Sequence, residues 1–132
     1  MVLVALAAAF IAFTYQREVS VPAEADLAKY PELLPFQAGR SGFRGIEFDI
    51  DTNDYSFAYP VSFDDAESFF AEVDTAATAA GWTLIEAKPT QRIYLRKKER
   101  PIALLVGEKV TVHFNPQERE VVLLRQDVAE IP

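Results

Sequence analysis

The chain has no cysteine, a single histidine, a single tryptophan and only five glycines among its 132 residues. Without cysteine there is no disulfide, no thiolate metal site and no thiol nucleophile. The absence does not name a compartment, because many extracytoplasmic domains of this size fold without disulfides. One imidazole is too few for an ordinary zinc site. A triad built on His113 would need a serine in a comparable setting, and none of Ser20, Ser41, Ser56, Ser62 and Ser68 lies in a G-x-S-x-G elbow. The glycines fall in neither G-x-G-x-x-G nor G-x-x-x-x-G-K spacing, so no phosphate-binding loop is present. Basic residues are also scarce. Thirteen Lys and Arg against twenty Asp and Glu give a net charge of −7, which excludes a general nucleic-acid binder.

A long apolar run is almost, but not quite, there. Val2 to Tyr15, VLVALAAAFIAFTY, carries no charge. As a helix it would reach about 21 Å at 1.5 Å per residue, short of a hydrocarbon core of about 30 Å. It has no basic n-region and no clean small-residue cleavage site before Gln16. It is apolar all round, whereas a helix packed at a domain surface shows a polar stripe. The segment is therefore read as a membrane anchor, against two alternatives, a signal-peptide core and a buried core helix. Arg17 alone does not fix the orientation; the domain is placed on the extracytoplasmic side because a short anchor before a folded domain is a common export arrangement. Gln16 to Gly42 holds Pro22, Pro31, Pro35, Gly39 and Gly42 and no sustained period, so it reads as a linker. Its Leu33, Leu34 and Phe36 are apolar enough to dock on whatever follows.

From Phe43 onward the pattern is that of a folded domain. Ile46, Phe48 and Ile50 alternate with acids, and Tyr55, Phe57 and Tyr59 alternate after Thr52-Asn53-Asp54, which predicts a β-hairpin over about 44–60. Ser62 to Gly81 is the strongest helical signal. Ala66, Phe69, Phe70, Val73, Ala76, Ala77 and Ala80 recur at i, i+3, i+4, i+7. Ser62 with Asp65 reads as a capping box, Asp64, Asp65 and Glu67 suit the positive end of the dipole, and Gly81 suits a left-handed stop. Beyond the helix, Trp82–Ile85, Arg92–Lys97, Ile102–Val106, Val110–Phe114 and Val121–Leu124 read as short strands, with a turn at Asn115–Glu118. The expected fold is α+β: an antiparallel sheet of about five or six strands with one amphipathic helix (63–80) packed on one face, plus an N-terminal apolar helix. The division is residues 1–15 as anchor, 16–42 as linker and 43–132 as domain. Phe48, Phe69, Phe70 and Trp82 are expected in the core, and Tyr55, Phe57 and Tyr59 either there or in an exposed aromatic strip.

Candidate chemistry is thin. Asp49 to Asp54 opens like a calcium loop, but the positions that require Gly and Glu hold Asp54 and Pro60, so a solvated turn is the better reading. His113 alternates with Val112 and Phe114 and belongs on a wet strand face. The acids Asp64, Asp65, Glu67 and Asp74 are helix-start or helix-surface charges, and none sits in an apolar context that would make it a general acid. The distribution of charge says more. Gly45 to Ala87 holds ten acids and no base, while Lys88 to Arg100 holds six bases and one acid. One reading is mutual neutralisation and protection of an edge strand. The other is a partner-binding basic patch, Arg92, Tyr94, Arg96, Lys97, Lys98 and Arg100, facing an acidic protein surface or anionic headgroups.

Together these features describe a non-catalytic, membrane-tethered interaction or accessory domain. Its expected partners are the membrane, through residues 2–15, and a protein that no residue identifies; no cofactor, metal or nucleic acid is expected. Two alternatives stand beside it. One is a small carboxylate-based hydrolase or ligand-binding enzyme, recognisable by converging acids in a pocket beside the sheet. The other is a cytoplasmic, fully soluble domain with residues 2–15 buried.

Overall fold

In the computed structural model of the chain, residues 29–49, 54–102 and 104–129 are described, with the backbone alone for 46–49 and 99–102. The apolar segment 2–15 and the middle of the acidic turn lie outside the described residues. Six strands form one antiparallel sheet: β1 (Gly45–Asp49), β2 (Asp54–Pro60), β3 (Thr83–Lys88), β4 (Gln91–Ile102), β5 (Leu105–Asn115) and β6 (Glu120–Val128), in the spatial order β1-β2-β6-β5-β4-β3. One helix, α1 (Ala66–Ala79), leaves β2 and crosses the sheet to reach β3 at the far edge. The class is α+β, and the first hairpin falls where the alternation placed it, with Ile46 paired to Phe57 and Phe48 to Tyr55.

The period of two decides which face each strand buries. Tyr59, Val121 and Phe114 form one cross-strand row, and Phe57, Leu123 and Val112 the next. All six side chains are buried. Above them lies α1, whose Phe69, Phe70, Val73 and Ala77 are buried on one stripe. Phe69 stacks on Phe114 with ring centroids 5.3 Å apart. Burying each such side chain is worth roughly 1.5–3 kcal/mol, so this stripe is what holds the helix to the sheet.

The helix begins three residues later than the capping box implies. Asp65, not Ser62, is the N-cap: its carboxylate accepts from Ser68 N at 2.7 Å. Ser62 is instead engaged through its backbone, donating to Gly39 O at 2.8 Å. The stop is as expected. Gly81 has φ +92°, Gly81 N donates to Thr78 O at 3.1 Å and Trp82 N to Ala77 O at 2.9 Å, the paired bonds of a Schellman motif.

The helix does not cover the sheet alone. Pro31–Phe36, within the segment expected to link, is a 3₁₀ turn beside α1, with Leu33 and Phe36 fully buried and Leu34 exposed. Phe36 packs edge-on against Trp82 and tilted against Tyr94, both with centroids 5.1 Å apart, and its carbonyl accepts from the Tyr59 hydroxyl. Tyr30 lies against Tyr55 and Phe57. Tyr55, Phe57 and Tyr59 thus belong to the interior layer and not to an exposed strip. Gly39 lets the chain return to the sheet: it has φ +66°, and a Cβ there would meet the Phe63 ring at 2.7 Å. The apolar run Ile102–Val106 is not a separate strand. It spans a hairpin, with Ile102 paired to Leu105 across the connection.

Candidate functional site

The inward face of the sheet changes character along the strands. Val110, Val112 and Phe114 of β5 are apolar, but the next inward position is Glu108. On β6 the inward series runs Val121, Leu123, Arg125, Asp127, and on β4 it runs Tyr94, Arg96, Lys98. Where α1 ends, charge therefore replaces hydrocarbon on the same face. Arg96 contacts Glu108 at 3.3 Å, Lys98 contacts Asp127 at 2.9 Å and Arg125 contacts Asp127 at 3.0 Å. Arg125 also stands 3.9 Å from Glu108 and 4.0 Å from Glu32 of the 3₁₀ turn. Three cations and three acids balance. The side chains of Lys98, Arg125 and Glu108 are each only 11% exposed, so solvent screens this network less than an ordinary surface pair.

A cavity of about 640 Å³ opens beside the network, lined by Pro31, Glu32, Ala80, Arg96, Lys97, Lys98 and Glu108. Arg96 is held over the Trp82 ring, 4.5 Å from its centroid, and donates to Ala80 O at 3.4 Å, at the negative end of the helix dipole. The guanidinium is thereby fixed at the cavity wall. Arg125 Nε is buried with no hydrogen-bond partner among the described residues, which leaves a desolvated donor in an otherwise paired cluster.

The basic run read from the sequence is divided by the fold. Arg92 lies over the Phe70 ring at 4.5 Å and 3.8 Å from Asp74. Tyr94 is buried and donates its hydroxyl to Asp74; burial first, then that carboxylate, push the phenol above its ordinary range. Arg92, Tyr94 and Arg96 do share a face, and it is the face beneath the helix layer. Lys98 is ion-paired, Lys97 is exposed with no ion-pair partner among the described residues, and the Arg100 side chain lies outside them. His113 is exposed on the opposite face, between Gln91 and Val122. Of the acidic turn 49–54, residues 50–53 lie outside the described residues. No group of three potential metal ligands occurs among the described residues.

Glu32, Glu108, Arg125 and Asp127 were not singled out by sequence reasoning. Their signal is phase: each of the last three continues the inward register of a strand whose other inward residues are apolar. A strand read only as far as its hydrophobic run stops short of them.

Comparison with protein-family models, with characterised proteins and with solved structures gives no match.

Proposed function

We propose that this chain is a non-catalytic, membrane-tethered interaction domain, anchored through residues 2–15 and carried on the extracytoplasmic side. Among the described residues no helix is long and apolar enough to cross a membrane, and residues 2–15 lie outside them. The observation that carries the proposal is one of position. The chain arrives from the apolar segment at Tyr30–Glu32, and Pro31 and Glu32 line one cavity with Arg96, Lys97 and Lys98. A tether thus meets the domain at one end of the sheet. The face away from α1 is left to a protein partner: its central row is Ile93, Thr111, Leu124 and Ser56, and no helix among the described residues covers it. Alkaline carbonate extraction of membranes from cells making the full chain tests the tether. The chain should stay in the pellet and be released when residues 2–15 are exchanged for a Gly-Ser segment of equal length. Recovery of the intact chain in the supernatant would sink the proposal.

A second reading is favoured by one observation, the cavity itself. Glu32 and Glu108 converge on Arg125 beside it, as a small ligand-binding enzyme would require. Thermal-shift measurements with acetate and inorganic phosphate, repeated on Arg96→Gln, decide it: a saturable shift lost in the variant favours that reading, and no shift removes it.

A further inference from the structure

The β4–β5 hairpin extends beyond the sheet. β3 last pairs with β4 at Leu95, and β6 last pairs with β5 at Gly107. The two strands nevertheless continue to the Ile102–Leu105 pair, with an irregularity after Lys97. On β5 two residues lead from Gly107 to Leu105, so at about 3.4 Å each the tip stands on the order of 7 Å past the charged end of the sheet, the extra residues of β4 being taken up in the irregularity.

The connection has the wrong chemistry for a solvated turn. Two-residue hairpin loops favour Asn, Asp and Gly, which tolerate positive φ and face water. Here Leu104 occupies such a position and is 79% exposed, the most exposed large apolar side chain among the described residues; Leu105 beside it is 38% exposed. Below the tip, the sequence supplies Lys97 and Arg100 in a protein that is otherwise strongly acidic. An apolar tip above a basic collar matches a lipid surface, whose hydrocarbon boundary accepts leucine and whose anionic headgroups attract lysine and arginine.

The tip is also on the tethered side. Lys97 lines the same cavity as Pro31 and Glu32, so the hairpin projects from the end of the sheet at which the chain arrives from residues 2–15. The intervening stretch from Tyr15 to Lys29 spans at most about 50 Å when extended, which keeps the tip within reach of the same bilayer.

We propose that the β4–β5 hairpin is a second membrane contact, with Leu104 and Leu105 entering the headgroup boundary and Lys97 and Arg100 meeting anionic lipid. It rests on the reading of residues 2–15 as an anchor, and its test separates the two. Because the chain has no cysteine, Leu104→Cys takes a single environment-sensitive fluorophore, and Gln117→Cys, in the exposed turn at the opposite end of the sheet, supplies the control. The labelled full chain is mixed with phosphatidylcholine vesicles, with and without phosphatidylglycerol, and floated. Emission at position 104 should shift to the blue and brighten when phosphatidylglycerol is present, while position 117 stays unchanged. Lys97→Gln and Arg100→Gln should each lower the docked-to-undocked ratio about fivefold. Flotation with both vesicle types and a silent position 104 overturns the hairpin contact and leaves the anchor standing. No flotation on phosphatidylcholine, with a response at 104 to phosphatidylglycerol, does the reverse. A blue shift that grows with protein concentration in the absence of vesicles assigns the tip to a second copy of the chain and also overturns the proposal.

Discussion

Asp65 shows how one residue sets a boundary. Its carboxylate accepts from Ser68 N and from the Ser68 hydroxyl, and those two bonds, the backbone one first, hold its carboxyl below the usual range. Asp65→Ala should lower the urea unfolding midpoint by the loss of the cap, and Ser62→Ala distinctly less, since Asp65 and not Ser62 is the N-cap. Because the folded pKa of Asp65 is lowered, its share of stability is present above the unfolded carboxylate pKa and is lost as pH falls through the folded value. The tyrosines behave in the opposite sense. Burial raises the phenols of Tyr59 and Tyr94, and burial first, then the hydrogen bond with the neighbouring Tyr55, raises that of Tyr30. Above the ordinary phenol pKa of about 10 the unfolded chain loses protons that the folded chain keeps, so stability is intact below that pH and declines as pH rises beyond it. Ultraviolet titration should therefore show these three phenols ionising together with the loss of the β-sheet circular dichroism signal. Ionisation near pH 10 with the sheet signal intact would contradict their burial.

Among the elements, the 3₁₀ turn is the one the sequence concealed. Prolines at 31 and 35 and the lack of any period made it look like a connector, because a turn this short has too few residues to display a face. Its docking is decided by Phe36, whose ring meets Trp82 and Tyr94 and whose carbonyl receives Tyr59. Phe36→Ala should cost about 3–5 kcal/mol in chemical denaturation, and Leu34→Ala, at an exposed position, less than about 0.5 kcal/mol; equal effects would mean the turn is not part of the core. The helix and first hairpin were legible because their periods are long and uninterrupted. The strands beyond them were legible in kind but drawn short. β5 and β6 continue past their apolar runs with Glu108, Arg125 and Asp127 in the inward phase, and charge at a buried phase reads as the end of a strand unless its partner on the neighbouring strand is known. The pairing that neutralises those charges is long-range, so the site was largely invisible from the sequence, even though the basic residues facing it were counted.

At the scale of the whole molecule, the sheet has two unlike ends. The turn after β5, where Asn115 Oδ1 accepts from Gln117 N at 3.0 Å and Glu118 N at 3.2 Å, is compact and polar. The other end carries the ion network, the cavity, the arriving chain and the projecting hairpin. The tether we propose at that end would orient the domain and leave the open sheet face to a partner. The net charge of −7 opposes the approach of the body of the domain to an anionic surface. Ala129, just past β6, marks the end proposed to carry the tether, and Gln117 marks the far one; eight residues of strand at about 3.4 Å each separate the levels they mark by nearly 30 Å. The most direct measurement is energy transfer to a headgroup-bound acceptor from a donor on Ala129→Cys or Gln117→Cys, in the membrane-reconstituted full chain. Transfer should be clearly greater from position 129; equal transfer, or greater transfer from 117, would mean that the domain is not held to the bilayer by that end.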